Sequence, residues 1–361
     1  TTEIYTLSLH DALPISDSWN REHLDVFFRL YDVFASVVKS YDPAFKVGGP
    51  ACYHIYFLRD FLSHIASGHN YVTGGVGAPL DFISYHLYGL SGSWLTAEPS
   101  ITPMVQRFTV EILWIQRLLE ELKIKNVEFH LNEWGQCSHF YRRSSEFPDL
   151  IYRDDERAAL FMIKLVDHLY AIGDHHGFKT DLLGYWGFCW EAKSEEAFIG
   201  RRELTTSGNV PKPILTAYEM LARLGEKRLC VLGPKVGGPT GLLATKTDNG
   251  VMQLLLYNYD ESDQGGPDAD SIHIVIKNLD CKTNELSEYL LERDHHNTYR
   301  LWQKLGSPKK LSAEIRETLQ EASRLKVDHN VFFTTNDGIG SLAFAIPRRS
   351  MRLIIITPIS N

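Results

Sequence analysis

The sequence predicts an α/β region followed by an all-β region, and three features carry that prediction. Between residues 22 and 228, apolar runs of strand length alternate with segments whose apolar residues recur at helical spacing, as in βαβ units around a parallel sheet. Past Leu229 the helical spacing gives way to short strand-like runs between turn residues, the pattern of a β-sandwich. The run Phe129-His130-Leu131 ends in Asn132-Glu133-Trp134, which sets a carboxylate at the C-terminal end of a strand, where α/β folds gather their functional groups.

The first helix is expected over 22–39, where Phe27, Leu30, Tyr31, Phe34, Val37 and Val38 form an apolar face. Asp42-Pro43 ends it, because proline removes a backbone donor and turns the preceding residue away from helix. A short buried strand at 45–50 closes in a Gly48-Gly49-Pro50 turn. A helix over 56–66, the loop Gly74-Gly75-Val76-Gly77 and a strand at 80–86 follow. The next helix covers 103–122, with Val105, Phe108, Ile112, Ile115 and Leu119 on one side. Then come a strand at 127–133, a helix at 154–171, a strand at 182–188 and a helix at 214–224 that stops at Gly225, a favourable C-cap residue. Four strands of parallel type make half of an eight-stranded barrel or a small doubly wound sheet. In the all-β region, strands are expected at 241–245, 251–257, 271–276, 331–334, 341–345 and 351–357, with one helix at 312–323. No internal repeat is present. The expected domains are therefore 17–228 and 229–361.

The 361 residues suffice for a large core, and 44% apolar with 23% charged residues is ordinary for a globular chain. A net charge of −8 argues against nucleic acid or an anionic membrane surface as partner. No apolar run is long enough to span a bilayer. The aromatic content of 12% suits stacking on sugar rings, and it suits a large core equally. The five cysteines, Cys52, Cys137, Cys189, Cys230 and Cys281, are scattered without CxxC spacing. Buried free thiols are expected, with neither metal nor cofactor. Compartment and oligomeric state have no signature in the sequence.

Residues 1–16 stand apart. The stretch 5–15 resembles the translation of a synthetic sequencing adapter, so the segment is expected to be foreign sequence that carries no information about the fold. On that expectation the natural start of the protein, with any signal peptide, is lost.

From Trp19 onward the chain resembles glycoside hydrolase family 39, the family of β-xylosidases and α-L-iduronidases. The resemblance runs in order through Phe28-Arg29-Leu30-Tyr31, Lys46-Val47-Gly48-Gly49-Pro50-Ala51, Leu80 to His86, Phe129 to Glu133, Tyr185-Trp186, Pro211-Lys212-Pro213 and Ala217-Tyr218. Asp294-His295-His296-Asn297, with Tyr299, Trp302, Gly306 and Pro308, resembles a segment peculiar to that family. The resemblance implies a retaining glycosidase on a (β/α)₈ TIM barrel with a β-sandwich appended. Its acid/base ends the fourth strand and its nucleophile the seventh. Glu133 matches the nucleophile, so the four expected strands become strands 5–8, the C-terminal half of the barrel.

The family's acid/base lies in a Trp-Asn-Glu-Pro motif before the first helix. Aligned on Phe28-Arg29-Leu30-Tyr31 it falls near Ala12; aligned on Trp19-Asn20 it is replaced by Arg21. Either way the carboxylate is missing, and Glu22 sits at a helix start, where an acid is common for dipole reasons alone. Asn132 and His130 are candidate hydrogen-bond partners of Glu133, and His86 is expected to face the sugar. Tyr88 completes a xylosidase-like His-x-Tyr pattern, where iduronidase-like members carry Lys, and is a candidate hydrogen-bond partner of a sugar hydroxyl. Trp186 is a candidate stacking floor, and Glu191 a candidate sugar contact. Arg201 falls where iduronidase-like members place an Arg that meets the substrate carboxylate, a task suited to guanidinium. Tyr88 and Arg201 thus point to different sugars. The implied activity is β-xylosidase-type hydrolysis of a carbohydrate substrate. An α-L-iduronidase-like or α-L-arabinosidase-like hydrolase and an inactive carbohydrate-binding fragment are the alternatives.

Overall fold

A computed structural model describes residues 6–8, 24–53, 55–89, 101–136, 142–187, 196–233, 238–260, 268–279 and 282–359. They form two compact units. The first comprises Thr1–Leu90, Thr102–Gly135 and Leu169–Trp186; the second comprises Ser91–Ile101, Gln136–His168 and Gly187–Asn361.

The first unit is built on a parallel sheet of β1 (Thr6–Ser8), β2 (Lys46–Cys52), β3 (Phe82–Tyr88), β4 (Glu128–Gly135) and β5 (Leu182–Tyr185), adjacent in chain order. Among the described strands that order has no reversal, the switch point that a doubly wound sheet needs. The helices α1 (Leu24–Tyr41), α2 (Phe57–Ser67), α3 (Ile101–Leu122) and α4 (Glu156–His176) follow β1 to β4 in turn. In the N-terminal segment, Thr6, Leu7 and Ser8 pair in parallel with Lys46, Val47 and Gly48. Backbone pairing of this kind asks little of the side chains, which is why no sequence pattern announces it.

Helix α1 buries Phe27, Tyr31, Ala35 and Val38, and the Tyr31 ring meets Phe61 of α2 edge-on at 4.9 Å between centroids. Leu30 and Val37, expected on the same face, are exposed instead, alongside Val26, Val33 and Tyr41. The helix is apolar on two sides, and one stripe is covered. At the lower end of the sheet one device occurs twice. The Asp81 carboxylate, just before β3, accepts the Val47 amide of β2 at 2.7 Å. Asp181, just before β5, accepts the Phe129 amide of β4 at 3.0 Å.

The second unit holds a six-stranded sheet and a two-stranded sheet. The larger runs β11-β10-β13-β8-β7-β6, from β6 (Lys227–Arg228), β7 (Thr240–Lys246), β8 (Met252–Asn258), β10 (Thr283–Leu291), β11 (His329–Thr334) and β13 (Ser350–Pro358). The smaller pairs β9 (Ala269–Ile276) with β12 (Gly340–Pro347). Leu254, Leu256, Leu286, Ile354 and Ile356 of one sheet share a core with Ile276 and Ile346 of the other, as the two layers of a sandwich do. Strand β10 was not expected from the sequence. Its inward positions read Asn284, Leu286, Glu288 and Leu290, and the two polar ones hide the apolar alternation. Glu288 is tolerated there because Arg352 pairs with it at 2.9 Å.

Helix α5 (Pro213–Leu221) ends short of the expected Gly225. Helix α6 (Thr298–Lys304), also unexpected, is capped by the Asn297 side chain, which accepts the Arg300 amide. Its Tyr299 and Trp302 join Phe198, Val210 and Leu319 of α7 (Ala313–Ser323) in a second core. Of the cysteines, Cys52 is buried but Cys230 is exposed, against expectation; Cys137, Cys189 and Cys281 lie outside the described residues. Among the described residues, no helix is long and apolar enough to cross a membrane, and no three or more His, Cys, Asp or Glu side chains are grouped to hold a metal ion.

Candidate active site

Strand β3 is buried along its whole length, and its last residues bring His86 and Tyr88 to one face, since side chains alternate along a strand. In the neighbouring β4, Glu133 stands in register with His86. The Tyr88 hydroxyl donates to Glu133 Oε1, and His86 Nε2 lies 3.7 Å from Glu133 Oε2. Glu133, His86 and Tyr88 are 6%, 7% and 2% exposed. A carboxylate this enclosed, gripped at one oxygen and flanked by an imidazole at the other, has a single orientation, which a positioned nucleophile requires.

The Tyr88 ring stacks on Tyr53 at 6.2 Å between centroids. The Arg107 guanidinium of α3 lies 5.8 Å from the centre of the Tyr53 ring, and its Nη2 donates to the Tyr53 carbonyl at 3.4 Å. Arg107 Nε in turn donates to Glu111 Oε1 at 2.6 Å. Burial pushes the Glu111 carboxyl up, against the pull of Arg107. Tyr53 and Arg107 escaped the sequence reading. The signal for Tyr53 was its place just past the C-terminal end of β2; Arg107, on a helix, had none.

Trp134 faces away from this group, fully buried, with its ring 5.1 Å from that of Tyr185. Trp186, half-buried just past β5, donates its amide to the Trp134 carbonyl at 3.5 Å. Asn132 is half-buried, and its Oδ1 has no hydrogen-bond partner among the described residues. His130, expected to assist Glu133, belongs to the other end of the strand: its Nε2 lies 3.1 Å from Glu128 Oε2 and its ring stacks on Phe82 at 4.3 Å. Burial holds the His130 ring below the usual imidazole range. A hydrogen bond from Lys46 draws the Glu128 carboxyl below its own.

The sequence profile of Glycosyl hydrolases family 39 matches residues 15–339. The chain belongs to glycosyl hydrolase family 39. It is 22% identical over 358 residues to a β-xylosidase of Geobacillus stearothermophilus, an alignment covering 95% of this chain and 64% of the relative. To a β-xylosidase of Caldicellulosiruptor saccharolyticus it is 24% identical over 314 residues, covering 84% and 58%. In fold it is similar to the crystal structure of a monomeric β-xylosidase from Caulobacter crescentus CB15, with a TM-score of 0.71 at 18% identity, covering 95% of this chain and 67% of that one. The chain thus spans 64% and 58% of the length of the two curated relatives it matches.

Within this family-39 chain, Arg201 belongs to the second unit, where its Nε pairs with Glu203 Oε1 at 3.0 Å. The Arg201 carbonyl accepts Lys212 Nζ at 2.7 Å. Glu191 and the stretch around Ala12 and Arg21, where the family's acid/base would fall, lie outside the described residues.

Proposed function

We propose that this chain carries the nucleophile side of a retaining glycosidase that acts on β-xylosides. The observation that carries the reading is the enclosed Glu133 carboxylate at the C-terminal end of β4, gripped by Tyr88 beside His86. Membership of family 39 and two relatives named β-xylosidase support it.

On this reading β2 to β5 are strands 5–8 of a (β/α)₈ barrel spanning 17–228, and β1 stands at the edge where a fourth strand belongs. The unbroken strand order and the uncovered apolar stripe on α1 agree with a barrel that continues past β1. Retention needs two carboxyl groups about 5–5.5 Å apart. Glu133 attacks the anomeric carbon and forms a glycosyl ester, the aglycone oxygen leaves, and water then cleaves the ester. The second carboxyl supplies the proton that poorer leaving groups need in order to depart. Trp186, His86 and Asn132 are the sugar contacts of this reading, with Glu191 as a further one. A neutral sugar is favoured over a uronic acid because Tyr88 replaces the lysine of iduronidase-like members. Arg201 is moreover already compensated by Glu203, and a paired guanidinium is a poorer receptor for a second carboxylate.

The test is pre-steady-state kinetics with an activated aryl β-xyloside, whose phenolate leaves without acid help. A burst is expected, with turnover accelerated by azide, which attacks the glycosyl ester in place of water. Glu133→Gln should abolish the burst. No burst, or one that survives Glu133→Gln, would sink the enzyme reading. Xylose binding in a calorimeter without any burst would make the chain a carbohydrate-binding fragment instead.

A further inference from the structure

The strand that carries Glu133 pairs regularly with neither neighbour. Against β3, Leu131 pairs with Tyr85 and Glu133 with His86, so Asn132 is one residue too many. Against β5, Leu131 pairs with Leu183 and Trp134 with Tyr185, so Asn132 and Glu133 together oppose Gly184. Such a bulge re-aims the side chains beyond it. An uninterrupted ladder from Leu131 would set Asn132 opposite His86 and turn Glu133 to the Leu87 face. The extra residue instead keeps Glu133 on the face of His86 and Tyr88.

The bulged backbone needs room, and it takes that room from β5. A Cβ on Gly184 would lie 2.7 Å from the Asn132 carbonyl oxygen and 3.2 Å from its carbonyl carbon. Both are backbone atoms, with no side-chain torsion to swing them aside. We propose that Gly184 is a positioning residue for Glu133: its bare α-carbon leaves the space that the Asn132 bulge fills, and the bulge aims the carboxylate. The reaction it serves rests on the glycosidase reading above; the backbone relation stands apart from it.

The experiment compares Gly184→Ala, deletion of Asn132 and the combination, each in the full chain. One readout is thermal melting. The other is labelling by 2,4-dinitrophenyl 2-deoxy-2-fluoro-β-xyloside. Glu133 attacks its anomeric carbon, the bond to the aryl oxygen breaks with its electron pair on dinitrophenolate, and the ester is read as added mass on the peptide containing Glu133. Gly184→Ala is expected to lower Tm by roughly 5 °C and to slow labelling about 100-fold, the scale of an ångström's misplacement. Deleting Asn132 leaves Leu131 opposite Tyr85 and Glu133 opposite His86 in a regular ladder. In that background Gly184→Ala should shift Tm by less than about 1 °C, a coupling that only neighbours show. Equal losses of Tm in both backgrounds, or labelling of Gly184→Ala at the wild-type rate, would overturn the proposal. If Gly184→Ala alone does not fold, a folded double variant supports the proposal and an unfolded one overturns it. A wild-type chain that takes no label overturns the glycosidase reading, and with it the part of Gly184 in the reaction, while the melting cycle still decides whether Gly184 makes room for the bulge.

Discussion

Glu133 owes its orientation to the hydroxyl of Tyr88, so Tyr88→Phe removes one hydrogen bond from a charged acceptor and leaves the ring stacked on Tyr53. Hydrogen bonds to charged groups contribute about 1.5–3 kcal/mol. The burst rate with an activated aryl β-xyloside should therefore fall about ten- to a hundredfold, with the apparent KM nearly unchanged. A raised KM at an unaltered burst rate would instead make Tyr88 a sugar contact, the role its His-x-Tyr pattern suggested. At this scale the sequence was informative about identity and silent about direction. Asn132-Glu133-Trp134 marks a strand end by composition, but strict alternation puts Glu133 on the face of Leu131. Only the irregular register shows that it shares the face of His86.

Strands β2 to β5 are tied at their lower ends by Asp81 and Asp181, each accepting the amide of a residue in the preceding strand. Asp181→Ala leaves the Phe129 amide without that acceptor, at a cost of about 2 kcal/mol, to be seen as a lower urea midpoint. Asp181→Asn keeps an acceptor and should recover most of the loss. The same end of the sheet holds the Glu128–His130 pair. The His130 ring titrates below its ordinary value in the folded chain because it is buried, so the unfolded chain takes up the proton first. The stability this group supplies is present above about pH 6.5 and is lost as the pH falls. Glu128, drawn down by Lys46, acts in the same direction once the pH nears the ordinary carboxylate range. This contribution to Tm should be lost between about pH 7 and about pH 5, and His130→Asn should remove it from the pH profile; an unchanged profile would remove His130 from the account. Elements with one apolar period, such as α2 and α3, were legible within a residue or two. The β10 strand was not, because Asn284 and Glu288 occupy its inner face, and Glu288 is paired with the distant Arg352, which no local pattern shows.

For the molecule as a whole, the parallel sheet and the antiparallel sheets were legible because hydrophobic period changes from helical to alternating near Leu229. The family could be read from ordered motifs, some of which serve the fold. Pro211-Lys212-Pro213 is one of them, and its purpose is visible only in three dimensions. Lys212 Nζ meets Asp154 Oδ1 at 2.7 Å, with the two side chains 2% and 0% exposed, and also donates to the Arg201 carbonyl at 2.7 Å. Asp154 Oδ2 accepts the Gly200 amide at 2.6 Å. One ion pair thus anchors the 200–201 loop, the start of α5 and the end of the 3₁₀ segment Pro148–Arg153. Burial pushes the Asp154 carboxyl above its ordinary range despite Lys212 beside it. Replacing a buried pair by apolar groups is often neutral, whereas removing one partner strands a charge and costs about 3–5 kcal/mol. Lys212→Met should therefore lower the stability of the second unit by about that much, read by urea unfolding followed through Trp fluorescence. The further change Asp154→Leu should restore most of it, since no buried charge is then left alone. A single variant no less stable than the wild type, or a double variant as unstable as the single one, would show that the loop is held by its apolar contacts around Phe198 and not by the ion pair.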